Sequence, residues 1–394
     1  MNADQPRPIH NEAELTEAEK HKTLKKVVFS SFLGNFIEWF DYASYSYLAT
    51  VIALVFFPGE DKMVSTMMTF GVFALAFLVR PLGAIFWGNM GDKKGRKWAL
   101  SISILMMSGA TFLIGCLPGY AVIGVGAPLL LLLMRMVQSF SASGEYAGAA
   151  TFIAEYSPKN HRGFYCSMVP ASTAVGLLVG SLFATWMFNT FGATSDFVVN
   201  WGWRIPFLCS AVLVIIGLYV RLRMTETPIF RKAVEQDRVV KHPLRSLLPY
   251  WKEVLLGTFA MGITYSLFYV LGTWSLSYAV KVMKPPFSQN EYLAMQMVSV
   301  VFFAIFIFVT CIYSDKLGRK TVLISTTLAT LVFSLFAMQS LQHNVLTVML
   351  FLCVGFALMG GLFGPCGAYL PELFPTHVRY SGAGLSYNLA AILG

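Results

Sequence analysis

Residues 88–100 read "GNMGDKKGRKWAL", and residues 311–323 read "CIYSDKLGRKTVL". Each segment sits between two long apolar stretches and carries the same order: an acid, a basic residue, a glycine, then Arg-Lys. The glycines allow a tight turn with close backbone approach. Asp92 stands where a carboxylate can cap a helix N-terminus or face the positive end of another helix. A second pair of segments recurs at matching places, "EYSPKNHRG" (155–163) and "ELFPTHVRYSG" (372–382). Signals repeated at equivalent positions in two halves mark an internal duplication.

Working outward, the flanks of these segments are long and apolar. The chain has 394 residues, 56% hydrophobic and 12% charged, against about 25% charged in a soluble domain. Apolar stretches run over 27–53, 65–88, 98–117, 124–153, 164–190, 205–222, 254–280, 292–313, 321–340 and 346–369, with a further one opening at 380–394. Each has the length of a membrane-crossing helix, and the alternating pattern of an outer-membrane barrel is absent. The sequence therefore reads as an all-α, multi-pass membrane protein. It divides into a tail (1–26), a six-helix half (27–222), a polar central loop (223–252) and a second half (253–394) that stops within its fifth helix.

Lys and Arg fix the expected orientation. They crowd the tail (Arg7, Lys20, Lys22, Lys25, Lys26), the turn at Lys93–Lys97 and the loop at Lys159 and Arg162. The central loop adds Arg221, Arg223, Arg231, Lys232, Arg238, Lys241, Arg245 and Lys252, and Lys316, Arg319, Lys320 and Arg379 follow. The other side offers little beyond Lys62, Lys281 and Lys284. The tail and the central loop are thus expected on the cytoplasmic side of a bacterial inner membrane. The formal charge of +9 is this topological bias and does not call for a nucleic-acid partner. The tail lacks a signal-peptide pattern. The six cysteines have no metal spacing. No phosphate loop, nucleophile elbow or metal-ligand cluster appears, so neither an enzyme nor a cofactor is expected.

The apolar stretches contain charges that lipid would not tolerate at low cost. In "GNFIEWFDYASY" (34–45), Asn35, Glu38, Asp41 or Tyr42, and Tyr45 recur at helical spacing and are expected on one inward face. Two acids a turn apart point to a proton site at Glu38 and Asp41, with Asp41 the first choice; a structural ion pair is the alternative. In the fourth stretch Arg135, Gln138, Ala142 and Glu145 form a second stripe. A guanidinium there suits a carboxylate, from the protein or from a substrate. Arg80 raises the same two options. Asn35, Tyr45, Arg80, Arg135, Gln138, Glu145 and, in the seventh stretch, Tyr269 are therefore the candidate substrate ligands, with Tyr265 and Trp274 beside Tyr269. Trp201 and Trp203 suit an interfacial belt, with Arg204 reaching outward between them and the headgroups.

"GNFIEWFDYASY", "RPLGAIFWGNMGDKKGRK", "RMVQSFSASGEYAGAATFIAEYSPKNHRG", "WGWRIPF" and "PELFPTHVRYSGAGLSYN" together resemble the major facilitator superfamily, and within it the metabolite:proton symporters. That group includes carriers of dicarboxylates, tricarboxylates, shikimate-like acids and zwitterions such as proline and betaine. Ser139 and Ser143 stand where its fourth span usually has glycine, and Cys311 where the second turn often has one. The resemblance implies two six-helix pseudo-repeats, twelve spans in all, acting as a monomer. It also implies a cytoplasmic gate. Gly88, Asp92, Gly95 and Arg96 would lock against Glu155 in one half. Asp315, Gly318 and Arg319 would lock against Glu372 in the other, with Arg162 and Arg379 nearby. The expected function is proton-coupled symport of a small polar metabolite, a carboxylate first and a zwitterionic osmolyte second. A non-transporting sensor or a truncated, inactive carrier is the alternative of another class, motivated by the sequence ending at Gly394.

Overall fold

The computed structural model describes residues 17–59, 61–192, 194–222, 225–236, 243–283, 287–341 and 344–394. The expected basic positions Arg7, Arg223, Arg238, Lys241 and Lys284 lie outside them. Helices account for nearly all of the described chain, and no strand occurs among those residues. The first group comprises α1 (Glu17–Tyr47), α2 (Ala49–Phe56), α3 (Lys62–Phe77), α4 (Arg80–Lys94), α5 (Arg96–Cys116), α6 (Gly126–Ala142), α7 (Glu145–Tyr156), α8 (Met168–Phe191) and α9 (Arg204–Leu222). A connecting helix, α10 (Pro228–Glu235), leads to α11 (Trp251–Tyr269), α12 (Gln289–Leu317), α13 (Arg319–Ser340), α14 (Val345–Glu372) and α15 (Arg379–Leu393).

Eight helical runs among the described residues are long and apolar enough to cross a membrane. Three further stretches read from the sequence fall outside that count. The first is rich in charge along α1 and breaks at Leu48. The fourth breaks at Ser143–Gly144, between α6 and α7. The last, α15, has 15 residues.

The duplicated turns fold alike. Gly95 joins α4 to α5 at φ 109°, and Gly318 joins α12 to α13 at φ 91°. Both values lie where a Cβ is strongly disfavoured, so the repeated glycine is a backbone requirement. Elsewhere small residues bring helices together. A Cβ on Gly176 of α8 would lie 3.0 Å from the Phe36 carbonyl of α1, and one on Gly180 would lie 2.5 Å from Ala43 Cβ. This is the small-xxx-small packing that membrane helices use in place of a hydrophobic driving force.

Two sequence expectations change here. Trp203 is fully buried, edge-on to Phe56 and Phe207, whereas Trp201 is exposed. Residues two positions apart point about 200° apart around a helix, to nearly opposite sides, so only one of the two meets the surface. Arg204 does not reach outward: its Nη1 donates to the carbonyls of Gly115 and Leu117, both at 2.7 Å, and so closes the end of α5.

Candidate functional site

The polar residues of α1 fan out instead of forming one stripe. Asn35 and Asp41 are six positions apart, which turns them about 120° from each other around the helix. Asn35 Nδ2 donates to the Val169 carbonyl (2.9 Å), Ser172 Oγ (2.8 Å) and Thr173 Oγ1 (3.0 Å), tying α1 to α8. Glu38 turns toward α4, where Arg80 Nη2 donates to its Oε1 at 2.7 Å with both side chains 1% exposed. Arg80 Nε donates to Asn388 Oδ1 of α15 at 3.0 Å, and Asn388 Nδ2 donates to the Ser143 carbonyl at 2.8 Å. Arg80 is therefore a junction between the two groups of helices.

Asp41 points into the interior of the first group. It accepts hydrogen bonds from Ser210 Oγ of α9 and from Thr111 Oγ1 of α5, the latter at 2.9 Å. Gln138 Nε2 donates to Thr111 Oγ1 at 2.7 Å, and Gln138 Oε1 accepts from Arg135 Nη1. An unbroken polar chain thus runs Asp41–Thr111–Gln138–Arg135. Arg135 makes no ion pair with a carboxylate among the described residues, and its Nε has no hydrogen-bond partner. Its guanidinium lies 3.8 Å from the centre of the Tyr45 ring and 5.1 Å from that of Phe73. Stacking partly offsets the cost of its burial, and Tyr45 is held for this by donating to the Thr69 carbonyl at 3.1 Å.

Glu145 departs from the expected stripe. The break at Ser143–Gly144 separates it from Arg135, and it heads α7 in a buried ion pair with Arg221. Arg221 is not a loop residue: it lies in the last turn of α9, 4% exposed, and also donates to the Leu100 carbonyl. A water-sized cleft between the two groups is lined by Trp39, Thr264, Tyr265, Phe268, Met359 and Phe363, among others. Tyr387 stacks on Tyr146 at 4.1 Å nearby. Tyr269 is half-buried, edge-on to Phe268 at 5.5 Å, and Trp274 is exposed and stacked on Tyr278.

At the end of the bundle that carries the basic turns, two equivalent clusters meet. Asp92 accepts from Tyr380 N (3.2 Å), Ser381 N (2.9 Å) and Ser381 Oγ (2.7 Å), capping α15. Asp315 accepts from Gly163 N (2.9 Å) and Phe164 N (3.0 Å), capping the short helix Arg162–Cys166 that leads into α8. Arg96 lies 3.3 Å from both Asp92 and Glu155, and donates to the Thr376 carbonyl at 2.7 Å. Arg319 lies 2.7 Å from Asp315 and 3.3 Å from Glu372. Arg379 crosses to Glu155 (3.2 Å) and Arg162 to Glu372 (3.4 Å). Gly88 permits this approach, since a Cβ there would lie 2.6 Å from Ser381 Cα.

The connecting segment adds a clasp. Glu226 Oε2 accepts from Lys97 N at 2.9 Å, at the start of α5, and Phe230 of α10 lies under Arg96 at 5.0 Å. Burial pushes the Glu226 carboxyl above its usual range, against the pull of the N–H groups of Thr227 and Lys97.

The sequence offered no way to single out Thr111 or Ser210, because small hydroxyls are ordinary in apolar helices. Asn388 stands out as a polar residue in an apolar stretch, whereas Arg221 lies where hydropathy falls, which places it in the loop.

The model of the Major Facilitator Superfamily matches residues 31–394. "Inner membrane metabolite transport protein YhjE" of Escherichia coli (strain K12) is 40% identical over 375 residues, 94% of this chain and 85% of that protein. The "Proline/betaine transporter" of the same strain is 34% identical, over 94% of this chain and 75% of its own length. Among solved structures, the proton:xylose symporter XylE bound to 6-bromo-6-deoxy-D-glucose superposes with a TM-score of 0.73 at 16% identity, covering 94% of this chain and 87% of that one. That last likeness is one of fold.

Proposed function

The chain belongs to the Major Facilitator Superfamily and is a membrane transporter of metabolites, not an enzyme; from that premise we propose that it is a proton-coupled symporter of a small carboxylate. Two halves, 27–222 and 253–394, alternate access to a central site, with the tail and the central loop in the cytoplasm. The end carrying the basic turns is then the cytoplasmic gate, which is closed in this conformation. The chain works as a monomer.

One observation carries the coupling. Asp41 is 1% exposed, receives hydrogen bonds from neutral hydroxyls, and is linked through Thr111 and Gln138 to Arg135. Burial there favours the protonated acid, while the two hydroxyls that donate to it favour the carboxylate, so both forms are supported. When the proton leaves, Arg135 is the nearby cation that makes the new charge tolerable. Loading and unloading Asp41 thereby changes the pull on the helices that carry Thr111, Gln138 and Ser210.

Arg80 is the ligand for the substrate carboxylate, buried between the halves and bonded to both. A zwitterion is the second reading, and the Arg80–Glu38 pair favours it. That pair is neutral overall, and Glu38 Oε2 is buried without a hydrogen-bond partner. A substrate bearing both charges engages both partners and strands neither. Relatives named as proline/betaine transporters support the same reading.

The test is uptake of labelled carboxylates, betaine and proline into vesicles, with and without a pH gradient. Collapsing the gradient should abolish accumulation. Asp41→Asn should lose accumulation but retain exchange of internal for external substrate. Gradient-independent accumulation by the wild type refutes symport.

A further inference from the structure

Ser30, Gly34 and Glu38 follow one another at four-residue intervals along one face of α1, a ladder about 12 Å long. Each of its three rungs meets a polar feature. Glu38 Oε2 is buried and has no hydrogen-bond partner. One turn on, a Cβ on Gly34 would run into both Glu145 Oε1 and Arg221 Nη2, so the Glu145–Arg221 pair fills the space above that glycine. Glu145 and Glu38 are near enough to repel each other. One turn further, Ser30 and Ser31 line a cavity with Lys97, Leu100, Phe152 and Arg221, large enough for about one water molecule. Lys97 lies at the basic end, half-buried, with Nζ donating to the Leu222 carbonyl at 2.9 Å.

We propose that protons leave for the basic end through the first half itself, from Glu38 to Glu145 and then by way of the Ser30–Ser31 cavity, bypassing the gate between the halves. The route rests on the proton-coupling reading above and adds Glu38 to it: a proton that Glu38 takes up when a substrate carboxylate engages Arg80 is the one that leaves. In each step one O–H bond breaks and one forms. The proton passes from the Glu38 carboxyl to the Glu145 carboxylate, then to water in the cavity, then to solvent. Arg221 keeps its charge throughout and stays hydrogen-bonded to Glu145. The charged and titratable groups facing Glu38 are Arg80 of α4, Asp41 and Tyr42 of α1, Tyr265 of α11 and Tyr387 of α15. Those facing Glu145 are Arg221 of α9 and Tyr380 of α15. The arrangement gives Gly34 and Glu145 a purpose that the gate and the substrate cleft leave unfilled, and it lets a proton depart while the gate contacts are still made.

The experiment uses the full chain in liposomes, with labelled succinate, betaine and proline as probes and a trapped pH dye as the second readout. Glu145→Gln should lower gradient-driven accumulation and internal acidification at least about tenfold, with counterflow exchange within about twofold of wild type; Glu145→Asp should restore coupling. Ser30→Val, which fills the cavity and leaves the ion pair in place, should slow acidification similarly and guards against a folding defect in Glu145→Gln. Full coupling in both variants overturns the route and leaves symport standing. Equal loss of exchange and coupling in both makes the ladder structural and also overturns it. A wild type that moves none of the probes with protons overturns the coupling reading and the route together.

Discussion

Asp92→Asn is the sharpest perturbation of the proposed gate. The Asp92 carboxylate receives three hydrogen bonds from the first turn of α15, at 2.7 to 3.2 Å, and is fully desolvated. Hydrogen bonds to a charged group are worth about 1.5–3 kcal/mol and neutral ones about 0.5–1.5 kcal/mol. A carboxylate at a helix N-terminus adds about 0.3–1 kcal/mol. Asn retains one accepting oxygen but turns a donor toward donors, so the closed arrangement should weaken by about 2–3 kcal/mol, roughly a 30- to 150-fold shift toward opening. Asp315 receives two hydrogen bonds, from Gly163 N and Phe164 N, so Asp315→Asn should shift the balance less, by about tenfold. Spin labels at the exposed positions Lys94 and Lys316, read by pulsed dipolar spectroscopy in lipid, report the two populations. Identical distance distributions in wild type and Asp92→Asn, or a larger change in Asp315→Asn, would refute the cap as the latch.

Three further outcomes follow from packing and charge. Gly34→Ala should lower thermal stability, because its Cβ displaces the ends of the paired Glu145 and Arg221 side chains, whereas Gly109→Ala, with no neighbour within 4 Å, should be silent; thermal unfolding compares them. Trp203→Ala should destabilise by about 3–5 kcal/mol, while Trp201→Ala, on the exposed side, should change unfolding little. Glu226 has its proton affinity raised by burial. The docked state therefore binds the proton more tightly than the undocked state, and docking of residues 225–236 should be firmest below the usual carboxylate range and loosen as pH rises through the raised value. A spin label at Glu235 should gain mobility over that window, and Glu226→Gln should remove the dependence.

Much of the fold was legible because its signals are local and repeated. The turns at Gly95 and Gly318 require glycine, and their flanking acid and arginine recur. The pairings Arg96–Glu155 and Arg319–Glu372 followed from resemblance and are formed. The interior of the first half was less legible. A three-residue spacing suggested one stripe on α1, but successive steps of three drift about 60° each, so Asn35, Glu38 and Asp41 face α8, α4 and the α5–α9 interior. Glu145 was misplaced because the Ser143–Gly144 break is invisible in an apolar run. Arg221 was read as loop because hydropathy falls there, although a partner 76 residues earlier draws it into the bundle. Burial by a distant partner leaves no local trace.

If the clusters at the basic end act as the proposed gate, their pairing also accounts for how so heavily charged an interface opens. Arg96, Asp92 and Glu155 all belong to the first half, and Arg319, Asp315 and Glu372 all belong to the second. When the halves part, each arginine keeps its own carboxylates. Separating two desolvated opposite charges would leave each uncompensated and cost several kcal/mol; that term is largely avoided. What breaks is the set of crossing contacts: Asp92 to the α15 backbone, Asp315 to Gly163 and Phe164, Arg96 to the Thr376 carbonyl, and the crossed pairs Arg379–Glu155 and Arg162–Glu372. The crossed pairs are partly exposed on their arginine side, where water takes over as they separate. A gate in which charge balance is internal and only caps and rim pairs cross over can be tight when closed and still be moved by a few kcal/mol, the scale on which a bound substrate and a proton can act.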